Sequence, residues 1–191
     1  MHLQSQVAVR NKMKPIHITI FIFAAIIGIG AVMALRFQHS RAAKPEFKTT
    51  DEMMQFLAAS AVEMANKNCG IKLDYSPESI EKVDVVLGKI HDEYQRTNSS
   101  QGIHGLAMAY GAYIGEVIRR SEPGAKWEQS DSVGGQNSYP MQWRGGASYV
   151  CAWCYRRITN GDEDNVWHKY IAIRDQTWKN QNEGTNNVAG H

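Results

Sequence analysis

Hydrophobic residues are laid out along this chain in three successive ways: one unbroken run, a long stretch at helical spacing, and then short segments of mixed pattern. The unbroken run is "IHITIFIFAAIIGIGAVMAL", Ile16 to Leu35, in which only His17 can take a charge. About 20 apolar residues are what a helix needs to cross a hydrocarbon core, so the pattern predicts one N-terminal transmembrane helix. The competing reading is a cleaved signal peptide, preceded as the run is by Arg10, Lys12 and Lys14. Signal cores are usually about 7–15 residues long, and the only small-x-small site, Ser40-Arg41-Ala42, lies well past the run. The segment therefore reads as an uncleaved anchor.

Helical spacing follows. Thr49 and Glu52 stand at capping-box distance, and Met53, Phe56, Leu57, Ala61 and Met64 recur at helical intervals until Asn68-Cys69-Gly70 ends them. A second helix is predicted from Ser76 as N-cap and Pro77 at the first turn. Its stripe is Ile80, Val83, Leu87, Ile90 and Tyr94, with Glu81, Lys82, Lys89 and Asp92 on the opposite face. The third runs from near Gly102 to before Pro123-Gly124. It is apolar on two sides, with Leu106, Tyr110, Tyr113 and Val117 on one and Met108, Gly111, Gly115 and Ile118 on the other, as expected of a central helix packed between layers. It also holds three glycines, Gly105, Gly111 and Gly115, although each interior glycine costs a helix about 0.8–1 kcal/mol relative to alanine. Something that needs the missing side chains must offset that loss, and Gly111 and Gly115, one turn apart, predict a groove into which another segment settles.

Beyond Pro123 the pattern shortens. Tyr139, Met141 and Trp143 alternate with Ser138, Pro140 and Gln142, which predicts a small hairpin whose strand Pro140 confines to an edge. The stretch "ASYVCAWCYRRITNG" suits a buried strand by composition, yet its Arg156-Arg157 and Asn160-Gly161 resemble a helix C-terminus, and a helix is preferred. A last helix is expected with Asp162 as N-cap and Val166, Tyr170, Ile173 and Trp178 on one face. The fold class is thus α+β: a mainly helical domain with a small antiparallel hairpin, preceded by the transmembrane helix. The divisions are a short basic tail over 1–15, the span at 16–35, a linker over 36–48, the globular domain over 49–178 and a polar, disordered tail over 179–191.

Charge changes the picture once it is divided. Residues 1–50 carry seven Lys or Arg and one Glu, a net of +6, whereas the remainder carries fourteen basic and eighteen acidic residues, a net of −4. The positive charge flanks the apolar run, where it can meet lipid phosphates, and the domain has no basic stripe with which to hold nucleic acid. Three basic residues precede the run and four follow it closely, so the charge rule does not orient it. A short tail ahead of a single span tends to stay inside, which places the domain on the periplasmic side of a bacterial inner membrane. Three cysteines, an odd number, do not make the disulfide framework of a secreted module.

Two blocks, "LDYSPESIEKVD" at Leu73 to Asp84 and "GAYIGEVI" at Gly111 to Ile118, are followed by Trp127. Together they resemble a group of uncharacterised bacterial domains that pair an L-D-x-S-x-x-S block with a G-x-Y-x-G-E block and a downstream Trp. The resemblance implies a compact α+β domain over roughly residues 70–175 and brings no activity with it.

The structural or binding candidates are accordingly Gly111, Tyr113, Gly115, Glu116, Trp127 and Trp143. Glu116 has three readings: a buried acid or partner anchor, an ion pair with Arg119 or Arg120 at i+3 and i+4, or an acceptor for buried Tyr, Trp or backbone donors that fixes the hairpin to the helix. The last is preferred, because the glycines promise close approach of another segment. Cys151-Ala152-Trp153-Cys154 is the one redox candidate, but it lacks a βαβ setting and any proline after Pro140, and two core cysteines are the simpler reading. With His168 it makes no complete zinc set. The loop Gln129–Asn137 reads as a flexible connection. No catalytic motif is recognisable, and neither cofactor nor metal is expected. The function read from the sequence is a single-pass, membrane-anchored domain that binds a protein partner, immunity-like or envelope-associated. The alternatives are a thiol redox enzyme using Cys151 and Cys154 and a non-catalytic structural envelope protein.

Overall fold

The computed structural model describes residues 45–175. The chain divides at Glu46/Phe47, and the account below concerns the unit that begins at Phe47. The apolar run at 16–35, Trp178 and the tail at 179–191 lie outside the described residues, and no described helix is long and apolar enough to cross a membrane.

Helix α1, Thr50–Cys69, begins where the capping pattern places it. The Thr49 hydroxyl accepts from Glu52 N at 3.1 Å, while the Glu52 carboxylate turns back to Lys48 N at 2.8 Å. Gly70 ends the helix in the left-handed conformation, φ +67°, donating its N–H to the carbonyls of Ala65 and Asn66. The buried face of α1 is Met54, Ala58, Ala61 and Ala65, so its backbone can approach its neighbour closely.

Helix α2, Ser79–Thr97, starts later than the sequence suggests. Ser76 is not its cap: the Ser76 hydroxyl and N–H both donate to Asp74 Oδ1, and Ser79 N and Ile80 N reach back to Ser76 O and Pro77 O as a tight turn. An aspartate two residues upstream competes for the serine, and an Asx turn results. Helix α3, Ile103–Ser121, is the core: every residue from Ala109 to Ile118 is buried. It packs against α1 on one side and against α4, Val150–Asn160, on the other, while α2 lies against α4.

Between α3 and α4 lies a three-stranded antiparallel sheet rather than a lone hairpin. Strands β1 (Lys126–Trp127), β2 (Met141–Trp143) and β3 (Gly146–Ser148) are ordered β1-β2-β3, with Trp127 opposite Met141 and Gln142 opposite Ala147. The strand holding the alternating residues is therefore central. Pro140 stays out of the ladder by preceding it, and its carbonyl accepts from Glu128 N at 3.0 Å. The two-residue turn Arg144-Gly145 has positive φ at both positions, +50° and +77°, as a twisted hairpin requires. Arg144 is held there by a forked pair with Glu122 (2.9 and 2.7 Å) and by donation to Arg174 O.

The ambiguous stretch is both things in turn, since Ala147 and Ser148 are strand and Val150–Asn160 is α4. After a 3-10 turn at Asp162–Asp164, residues 166–175 are helical (α5). Their cap is Asn165, which accepts from His168 N at 2.9 Å, not Asp162, whose carboxylate is instead engaged by Arg157. Val166 and Tyr170 are buried, and Tyr170 stacks on Trp143.

Candidate functional site

The two sequence blocks meet. Tyr113 of α3 donates its hydroxyl to Ser79 Oγ (2.6 Å), which donates onward to Ser76 O (2.5 Å), and Tyr113 Oη accepts from Tyr75 N at 2.8 Å. Burial raises the Tyr113 pKa, and these bonds satisfy the hydroxyl completely. Tyr75 sits at φ +62°, a conformation costing a non-glycine residue about 1–3 kcal/mol. Its N–H bond, the tilted contact of its ring with Tyr113 and the Arg120 guanidinium 3.5 Å above its ring hold it there.

One turn on, Glu116 is wholly buried. Its Oε1 accepts from Trp127 Nε1 at 3.2 Å, and both oxygens accept from Arg119 at 2.8 Å, with Arg120 Nε 3.9 Å away. The carboxylate thus joins two of the expected arrangements, the i+3 pair and the indole acceptor, and it ties β1 to α3. Gly115 lets the indole lie on the helix, because a Cβ there would overlap the Trp127 ring. A Cβ on Gly111 would stand 2.5 Å from Cys151 Cα, so α4 rests on α3 backbone to backbone. Gly105 differs: it is exposed, with nothing within 4 Å. Trp127 and Trp143 are 5% and 4% exposed, and the Trp143 indole donates to Ser148 Oγ at 2.8 Å, so neither ring offers a surface to a partner.

A second buried cluster is centred on Asp84, the last residue of the first block. Asp84 accepts from Arg157 Nε (3.1 Å) and Val166 N (2.9 Å) on Oδ1 and from Asn165 Nδ2 (2.9 Å) on Oδ2, so a side chain of α2 caps α5 and anchors α4. Arg157 also pairs with Asp162 at 2.7 Å. Gly88 leaves the arginine room, for a Cβ there would be 2.8 Å from Nη2. The signal existed in the spacing: Asp84 stands four residues after Ile80 and three before Leu87, inside the apolar stripe. A polar recess of about 360 Å³ lies beside Arg157, His91 and Asp162; the two carboxylates hold the guanidinium through Nε and Nη2, and its Nη1 is buried without a hydrogen-bond partner among the described residues.

An open groove of about 600 Å³ lies between α3, α4 and the β1–β2 loop. His104 and Met108 come from α3, Val133 and Ser138 from the loop, and Tyr155 and Arg156 from α4. The loop, expected to be a flexible connection, is cross-braced. Asp131 Oδ1 accepts from Val133 N (3.1 Å) and Gly134 N (2.6 Å), its Oδ2 accepts from Tyr149 Oη (2.6 Å), and Gln129 Nε2 donates to Asn137. The Tyr149 bond, then that from Gly134, holds the Asp131 carboxyl below the usual range, and the bond to Asp131, then burial, raises the Tyr149 pKa. Val133 is thereby held out 84% exposed, and Tyr155 is 44% exposed across the groove.

All three cysteines are free. Cys151 lines the groove floor, but burial pushes its thiol up to about 12 and raises Cys154 well above the ordinary value. A redox nucleophile needs the opposite shift. Native-state titration with a thiol reagent at neutral pH is expected to spare Cys151 and Cys154 and to modify them only as the domain unfolds. Rapid labelling of both in the folded protein would restore the redox reading.

The assembly is an α+β domain: a helical core with a small sheet and its two sequence blocks locked to each other. The chain belongs to a family of unknown function, DUF6278, whose model matches residues 34–137, both blocks included. No curated protein and no solved structure matches it. The matched region ends inside the β1–β2 loop, so the groove is built partly from α4, beyond the match.

Proposed function

We propose that this chain is a single-pass, membrane-anchored domain of a bacterial envelope that works by binding a protein partner, in the manner of an immunity or envelope-associated protein, without catalysis of its own. The observation that carries the reading is the groove. It has apolar walls, a braced loop that holds Val133 into solvent, and Tyr155 facing it, an arrangement whose exposed apolar area does nothing for the isolated fold. The titratable side chains of the block cluster, by contrast, are engaged in holding the fold, as the Glu116 and Tyr113 networks illustrate. The uncharged run at 16–35 and its basic flanks support the anchor.

The test places a photo-crosslinking amino acid at Val133, and in a second variant at Val85, in the full chain in cells. Val85 is also exposed, at 51%, but lies on α2. A discrete, stoichiometric adduct from position 133 that is absent from position 85, recovered in the membrane fraction, is expected. Identical adduct patterns from both positions, or a chain recovered wholly in the soluble fraction, would overturn the reading. A structural envelope protein without a dedicated partner is what identical patterns would indicate.

A further inference from the structure

The charge of the groove runs against that of its domain. The chain after residue 50 is net −4, yet among the described residues lining the groove there is no carboxylate, while Arg156 and His104 stand at its margin. Asp131, in the loop that forms one wall, has its oxygens occupied by Tyr149 Oη and two loop N–H groups. Arg156 is exposed, and the nearby Asp164 whose acidity it strengthens is itself paired with Lys169 and bonded by Asn160. The guanidinium is therefore available to a visiting anion at the edge of an apolar trough. Opposite-sign charge at the margin of an apolar patch sets the register and sign preference of a binding surface.

Resting on the protein-binding reading above, we infer that the groove receives an extended, acidic segment of the partner. One apolar side chain of that segment lies between Met108, Val133 and Tyr155, and a carboxylate near it in sequence meets Arg156 and His104. An extended peptide suits the site better than a small molecule because the groove is open and one wall is a protruding, braced loop rather than a lid. Arg156 favours a carboxylate in particular, since its planar fork can donate two parallel hydrogen bonds to it.

The experiment selects a random peptide library displayed on phage against the full chain. Each enriched peptide is then measured by fluorescence polarisation against the wild type and the variants Val133→Asp, Arg156→Glu and Arg156→Gln. All three change exposed positions, and an unaltered circular dichroism spectrum checks that each variant folds. The expected peptides pair an apolar residue with Asp or Glu a few positions away. They lose about tenfold in affinity with Arg156→Glu, less with Arg156→Gln, and weaken as salt is raised. Peptides that depend on Val133 but are neutral or basic, or that bind Arg156→Glu as well as wild type, would overturn this inference and leave the protein-binding reading standing. Enrichment of sequences copied from this chain would replace the foreign segment with a second copy and also overturn it. A selection yielding no peptide sensitive to Val133→Asp would sink both.

Discussion

Gly111→Ala is expected to cost the domain about 3 kcal/mol or more, enough to leave much of the chain unfolded, whereas Gly105→Ala in the same helix is expected to stabilise it by about 0.4–1 kcal/mol. Helix propensity alone predicts a gain at both positions. The difference arises because a methyl at 111 meets the backbone of α4, at 2.5 Å from Cys151 Cα and 2.7 Å from its N, where no rotamer change can relieve it. A methyl at 105 meets only solvent. Gly115→Ala should resemble Gly111→Ala, because displacing the Trp127 ring also breaks the bond of its buried indole N–H to Glu116 and leaves that oxygen with Arg119 alone. Chemical denaturation of the three variants decides the matter. Equal, small effects at 105 and 111 would mean that α3 and α4 are not in backbone contact.

Asp84→Ala is expected to destabilise by about 3–5 kcal/mol, the usual cost of removing one partner from a buried pair. The Arg157 side chain is only 5% exposed and would lose its inner carboxylate, leaving only the exposed Asp162. Val166 N and Asn165 Nδ2 would lose acceptors at the same time. The double variant Asp84→Ala/Arg157→Met separates the charge effect from the capping effect. Removing both charges should recover part of the loss, and what remains measures how far α5 depends on a cap supplied by α2. A loss below about 1 kcal/mol for Asp84→Ala would show that α5 docks by its apolar face alone, through Val166 and Tyr170.

These two expectations bear on function by elimination. The polar residues most conspicuous at the centre of the domain hold helices and sheet together: Glu116 joins α3 to β1, Tyr113 joins α3 to the turn before α2, and Asp84 joins α2 to α4 and α5. The groove between the braced loop and α4 stands apart from these three networks.

Local pattern by itself determined which segments are helical and that α3 is central. The Thr49 cap, the Gly70 stop and the two-sided apolarity of α3 are short-range or periodic signals, and the last of them marks α3 as the central helix. The glycine pair at 111 and 115 announced close approach, but not what approaches, because the absent side chain is silent about its replacement. Only the tertiary structure decided that Trp127 and the backbone of Cys151 fill those places, that Gly105 has no such role, and that Pro140 adjoins a central strand. It also decided the caps. Asp74 took Ser76 away from α2, and Asp84, more than eighty residues distant, caps α5 with Asn165, because a hydrogen-bond acceptor is chosen by proximity in space and sequence spacing records only its near neighbours. The groove follows the same logic: its walls come from three elements whose separate sequences carry no common period, so it exists only once α3 and α4 have met.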